Sequence, residues 1–119
     1  MKRPRERVID MLEAIEQIER YENRGRSSLD TDELVRVWMV HHLQILCEAA
    51  AALGRDFHEA HLGIPWAEMV AMRNVLVHDY GGIDPDEVWR TIKRDLPPLK
   101  RQLTVLAAEL GSDEPGPCN

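Results

Sequence analysis

Apolar residues recur along this chain at helical spacing, and no stretch shows the strict alternation of a strand. Val8, Met11, Leu12, Ile15 and Ile18 step by three or four, so the pattern predicts a first helix from about Arg5 to Asn23. Its other face carries Glu6, Asp10, Glu13, Glu16, Gln17 and Arg20 and is solvated. Gly25 ends it, and Arg24 to Leu29 reads as a short loop. Asp30, with Glu33 three residues later, has capping-box spacing and predicts a helix from there to about Leu53. That helix is apolar nearly all round (Leu34, Val35, Val37, Trp38, Val40, Leu43, Ile45, Leu46, Ala49, Ala50, Leu53), which makes it central, or covered on one side by a second protomer. Gly54 closes it. Arg55 to Ile64, with Phe57, His58, His61 and Gly63, predicts a short irregular helix and a loop.

Pro65 suits a first helical position. From it, Trp66, Met69, Val70, Leu76 and Val77 form one apolar face, with Arg73 standing on that face. A guanidinium there is costly unless it is paired, at an interface or in use. A second stripe of Ala67, Ala71, Asn74 and His78 is small and polar, open to another backbone or a ligand. The helix should stop near Asp79, before Gly81-Gly82, leaving His78 and Tyr80 at a helix end. Asp84-Pro85-Asp86-Glu87 is a further helix start. Val88, Ile92, Leu96, Leu99, Leu103, Leu106 and Leu110 then continue one stripe through Pro97-Pro98, as one long bent helix or two stacked ones. Arg90, Lys93, Arg94, Lys100 and Arg101 lie opposite that stripe. The result is an all-α, antiparallel up-and-down bundle of four to five helices. A single domain over residues 1–110 is followed by a tail, 111–119, of disordered composition.

Composition narrows the function. The 119 residues are 44% hydrophobic, enough for one core, and a domain of this size is helped by oligomerisation. A net charge of −6 argues against bulk attraction to nucleic acid, so an RNA partner needs a local basic patch or a second subunit. Cys47 reads as core and Cys118 lies in the polar tail; they form no metal spacing. His58 and His61 are three apart, but no further Cys or carboxylate completes a site, so no metal and no cofactor is expected. The N-terminal residues do not read as a secretory signal, and the longest apolar run is broken by His41-His42 and Gln44, so the expectation is a cytoplasmic protein without a membrane span.

Arg73 and His78, with Tyr80, spell Arg-x4-His-x-Tyr. From spacing alone, an Arg and a His near a helix end also fit an ion pair and a dipole-favouring cap. The stretch Arg73-Asn74-Val75-Leu76-Val77-His78-Asp79-Tyr80, followed by Gly82-Ile83-Asp84, resembles the signature of the HepT-like branch of the HEPN superfamily. The similarity extends to Ile64-Pro65-Trp66, Val88-Trp89, Asp95-Leu96-Pro97 and Gln44 to Ala50, nearly the whole chain. The resemblance implies a dimeric helical bundle with a composite site in the cleft between two protomers. It implies a toxin of a type VII toxin–antitoxin module, opposed by a nucleotidyltransferase antitoxin of the MNT type with which it forms a hetero-oligomer. It further implies that Tyr80 accepts AMP groups from that antitoxin and so serves as an off switch. Gly81, where relatives often carry a bulkier residue, and His41-His42, where some have Arg-Asn, depart from the pattern and bear on activity rather than fold.

The residue types suit metal-independent cleavage of RNA, such as tRNA or mRNA. There the 2′-hydroxyl attacks the adjacent phosphate and the 5′-oxygen leaves, giving a 2′,3′-cyclic phosphate. His78 can act as general acid or base, and Arg73 can hold the phosphate through two donors. Asn74 would orient His78 or the phosphate. Residues five apart on an ideal helix differ by about 140° around its axis, so Arg73 and His78 of one chain do not converge. A twofold dimer brings both pairs around one axis. His41, His42, Lys93 and Arg94 are candidate RNA contacts; a histidine on the long helix is otherwise a core or interface residue, and the basic stripe is otherwise a solvated face. A rival reading is a non-catalytic helical module that binds a nucleotide or a nucleotidyltransferase and keeps the motif for that contact.

Overall fold

The computed structural model describes residues 2–78 and 83–113, and of 77, 78, 112 and 113 the backbone alone. Four long helices carry the architecture: α1 (Pro4–Glu19), α3 (Glu33–Ala52), α5 (Trp66–His78) and α7 (Leu96–Asp113). Short helices α2 (Ser28–Thr31), α4 (Arg55–Ala60) and α6 (Pro85–Arg90) fill the connections, and no strand occurs among the described residues. The order is up-and-down, as cross-helix pairs show. Gln17 near the end of α1 meets Trp38 near the start of α3, while Arg7 and Glu48 line one groove. Glu48 late in α3 meets Arg73 in α5. Glu19 meets Lys100, and Arg5 lies against Gly111, so α7 runs antiparallel to α1.

The core is the predicted set of stripes brought together. Val8, Met11, Ile15 and Ile18 of α1 close on Met39, Leu43, Leu46 and Cys47 of α3, with Ile92 and Leu103 from the last helical stretch, all essentially inaccessible. Burying one such aliphatic side chain contributes about 1.5–3 kcal/mol. Trp66, Met69 and Leu76 bring α5 into the same core. The Trp38 indole Nε1 donates to the Gln17 carbonyl at 2.7 Å, tying α3 to α1.

The helix starts follow cap chemistry, with one correction. Asp84 caps α6 as predicted, accepting from the Asp86 N–H at 2.9 Å, with Pro85 in the first turn. The α3 cap is Asp32, not Asp30. Its side chain accepts from the N–H groups of Leu34 and Val35 at 3.1 and 3.3 Å. Residues 28–31 coil into α2, and only Asp32 has the extended backbone a cap requires (φ −123°, ψ 101°). Asp30 instead pairs with Arg26 at 2.9 Å. The first helix is also shorter than predicted: α1 ends at Glu19, and a 3-10 turn over Glu22–Arg24 leads to Gly25 (φ 82°).

Pro97-Pro98 produces no break. A π-helical turn, Thr91–Asp95, follows α6 directly, and α7 follows that turn. Both prolines then fall in the first turn of α7, where a missing N–H forfeits no bond of that helix. α7 runs to Asp113, three residues past the predicted end of the domain; residues 114–119, including Cys118, lie outside the described residues. No described helix is long and apolar enough to cross a membrane.

Candidate active site around Arg73

The apolar face predicted for α5 is the buried one: Trp66, Met69 and Leu76 are buried, and Ala67, Ala71, Asn74 and Val75 are exposed. Arg73 sits at the edge of the buried face, beside α3. Its Nε donates to Glu48 Oε1 at 3.0 Å, and the two side chains keep 39% and 45% of their exposure. Arg73 is therefore held at the surface of the α3–α5 seam, with solvent on one side.

The remaining site candidates divide. Asn74 is exposed on α5. His78 is the last residue of α5, and its side chain lies outside the described residues, as does all of Tyr80. His41 is exposed on the outer face of α3, its ring edge-on to His42 at 5.0 Å. It lines an open groove of about 600 Å³ between α1 and α3, together with Arg7, Asp10, Glu13 and Glu48. His42 turns inward: it is 9% exposed, packs on Trp38 at 4.4 Å, and its Nδ1 lies 2.9 Å from the Trp38 carbonyl. A carbonyl only accepts, so that nitrogen carries the hydrogen. The residue packs as a core histidine and also borders the groove that His41 lines.

Lys93 and Arg94 are exposed, but carboxylates already engage them. Lys93 pairs with Glu22 at 2.8 Å and lies over the Trp89 ring, and Arg94 pairs with Asp95 at 3.1 Å. Neither is paired or grouped with Arg73. His58 is also committed, with Nε2 2.7 Å from the Ala50 carbonyl and its ring stacked on Trp66 at 4.6 Å.

Glu48 is the site residue that sequence reasoning missed. It falls in a stretch that reads as helix core, and its neighbour Cys47 is core, its thiol pushed up to about 12 by burial and by the adjacent Glu48 charge. The available signal was rotation: Glu48 lies seven residues after His41, two helical turns along the exposed face of α3.

The family model described as Ribonuclease HepT-like matches residues 11–106, from the middle of α1 through more than half of α7. A protein of Thermococcus cleftensis named "Probable ribonuclease HepT" is 36% identical over 98 residues, 82% of this chain and 89% of the relative. Several relatives carry names that begin with "Putative RNase", among them two with more than 30% identity. One, from Caldanaerobacter subterraneus subsp. tengcongensis, is 33% identical over 87% of this chain and 93% of its own length. The other, from Methanocaldococcus jannaschii, is 35% identical over 63% and 69%. The chain belongs to the HepT-like ribonuclease family, of the HEPN type. No solved structure matches it.

Proposed function

We propose that this protein is a metal-independent endoribonuclease whose phosphate-holding group is Arg73 and whose general acid/base is His78. The observation that carries the reading is the position of Arg73. It is a cation at the margin of an apolar helix face, half-exposed, fixed by one carboxylate and five residues before a histidine at the helix end. Membership of a ribonuclease family supplies the reaction class. Attack of the 2′-hydroxyl on the adjacent phosphorus, with loss of the 5′-oxygen, needs one proton removed and one supplied. Two His78 imidazoles about a twofold axis would provide both, and two Arg73 guanidiniums would neutralise the phosphorane.

The exposed face of α3 supports a second copy as partner. Leu34, Val37 and Ile45 remain 82%, 42% and 36% exposed along one stripe, with His41 between them. Such a stripe beside Arg73 is what the seam of a dimer with a shared cleft requires. In the proposed cycle Asn74 supports the catalytic pair and a partner nucleotidyltransferase transfers AMP to Tyr80. The added phosphate then occupies the cleft against Arg73.

Expression in a bacterial host tests this reading. Wild type should arrest growth, and Arg73→Ala and His78→Ala should not, at equal soluble levels. Co-expressed nucleotidyltransferase should relieve arrest by wild type and add AMP mass to it, but not to Tyr80→Phe. Arrest by all variants alike would instead indicate a module that acts by binding.

A further inference from the structure

A guanidinium offers two donor edges, one containing Nε and one formed by its two terminal amino groups. Glu48 takes the first edge of Arg73, at 3.0 Å, and no other described residue pairs with the second. We propose that Glu48 is the positioning residue of the active site: it fixes the Arg73 guanidinium through Nε and leaves the terminal amino edge aimed at a substrate phosphate. This rests on the reading of Arg73 as the phosphate-holding group.

Packing does not require the pair. α3 and α5 are already joined through Leu43, Leu46, Met69 and Leu76 in the common core. An ion pair this exposed contributes little to folding. An arginine with several free torsions gains far more from being held. Orientation of the group that meets the transition state is worth up to about 100-fold for a displacement of about 1 Å. The pairing also has an electrostatic consequence. Glu48 cancels the charge of Arg73 at rest, so the carboxylate opposes ground-state binding of phosphate while it improves aim. Glu48 therefore acts on kcat favourably and on KM unfavourably, a split that a merely structural ion pair does not produce.

The test is steady-state cleavage of one defined RNA by wild type, Glu48→Gln, Glu48→Ala and Arg73→Ala, with helicity checked by circular dichroism. Gln keeps an oxygen for the Nε–H and removes the charge. Glu48→Gln should hold kcat within about threefold and lower KM, while Glu48→Ala should lose at least about tenfold in kcat, within the range that misplacement allows. Wild-type rates in both Glu48 variants, or equal losses in both, overturn the positioning role, provided Arg73→Ala is inactive. If Arg73→Ala cleaves like wild type, the phosphate role of Arg73 itself fails and the positioning role falls with it.

Discussion

The two faces of α3 are both apolar, yet the protein uses them oppositely. The inner face, Val35, Met39, Leu43, Leu46, Cys47 and Ala50, is consumed by the chain's own core. The outer face carries Leu34, Val37, His41 and Ile45 into solvent and ends at Glu48, which holds Arg73. A 20-residue helix that is hydrophobic nearly all round thus separates core from surface by rotation alone. One residue, a step of about 100° around the helix, moves from a buried thiol at Cys47 to the carboxylate that meets Arg73 at Glu48.

The largest break in that comparison comes from the inner face. Leu43 is wholly buried, and Leu43→Ala should cost about 2–5 kcal/mol in urea unfolding, as a cavity among close-packed neighbours does. The thiol of Cys47 sharpens it next. With Cys118→Ser removing the second thiol, reaction of the folded protein with a disulfide reagent at pH 8 should be at least about 100-fold slower than in urea, because the thiolate is the reacting form. Rapid labelling of the folded chain would place Cys47 outside the core.

On the outer face, Val37→Asp and Ile45→Asp should leave monomer stability within about 0.5 kcal/mol, as surface changes do. They should halve the particle mass measured by light scattering if the proposed dimer uses this face. An unchanged mass would move the seam elsewhere. A small effect on stability, with none on assembly, belongs to the basic side chains around α7. Lys100→Ala, which removes the pair with Glu19 at 2.9 Å, should cost at most about 1 kcal/mol.

The pH profile has a definite sign. The Lys100 amino group is raised by its hydrogen bond to Glu19, and the Cys47 thiol by burial. A raised folded value means that the contribution is complete below the ordinary value and is lost as pH climbs toward the folded one. Melting temperature should therefore hold from about pH 7 to 8 and decline above about pH 9, where thiols and lysine ammonium groups of the unfolded chain lose their protons preferentially.

Helix existence and the buried faces were legible because apolar periodicity is a local signal: the stripes of α1, α5 and α6–α7 are those the sequence predicts. The α3 start shifted from Asp30 to Asp32 because both offer a capping carboxylate, and only the backbone of Asp32 is extended. The passage through Pro97-Pro98 needed the π-helical turn before it, which no spacing announces. At the site, Arg73 was legible as a misplaced cation. Its partner was not, since Glu48 lies 25 residues away and meets it only through the antiparallel packing of α3 and α5. His41 and His42 were both candidates because they lie on the long helix, with a core histidine as the alternative, and a step of about 100° around the helix sends His41 outward and His42 into the core.

The most direct measurement is cleavage of total RNA and transfer RNA in EDTA by purified wild type beside Arg73→Ala and His78→Ala. The account predicts cutting by wild type alone, with 2′,3′-cyclic phosphate ends and losses of at least about 100-fold in each variant, the scale of a removed acid/base or charge-stabilising group. No cutting by wild type, or equal cutting by all three, would contradict it.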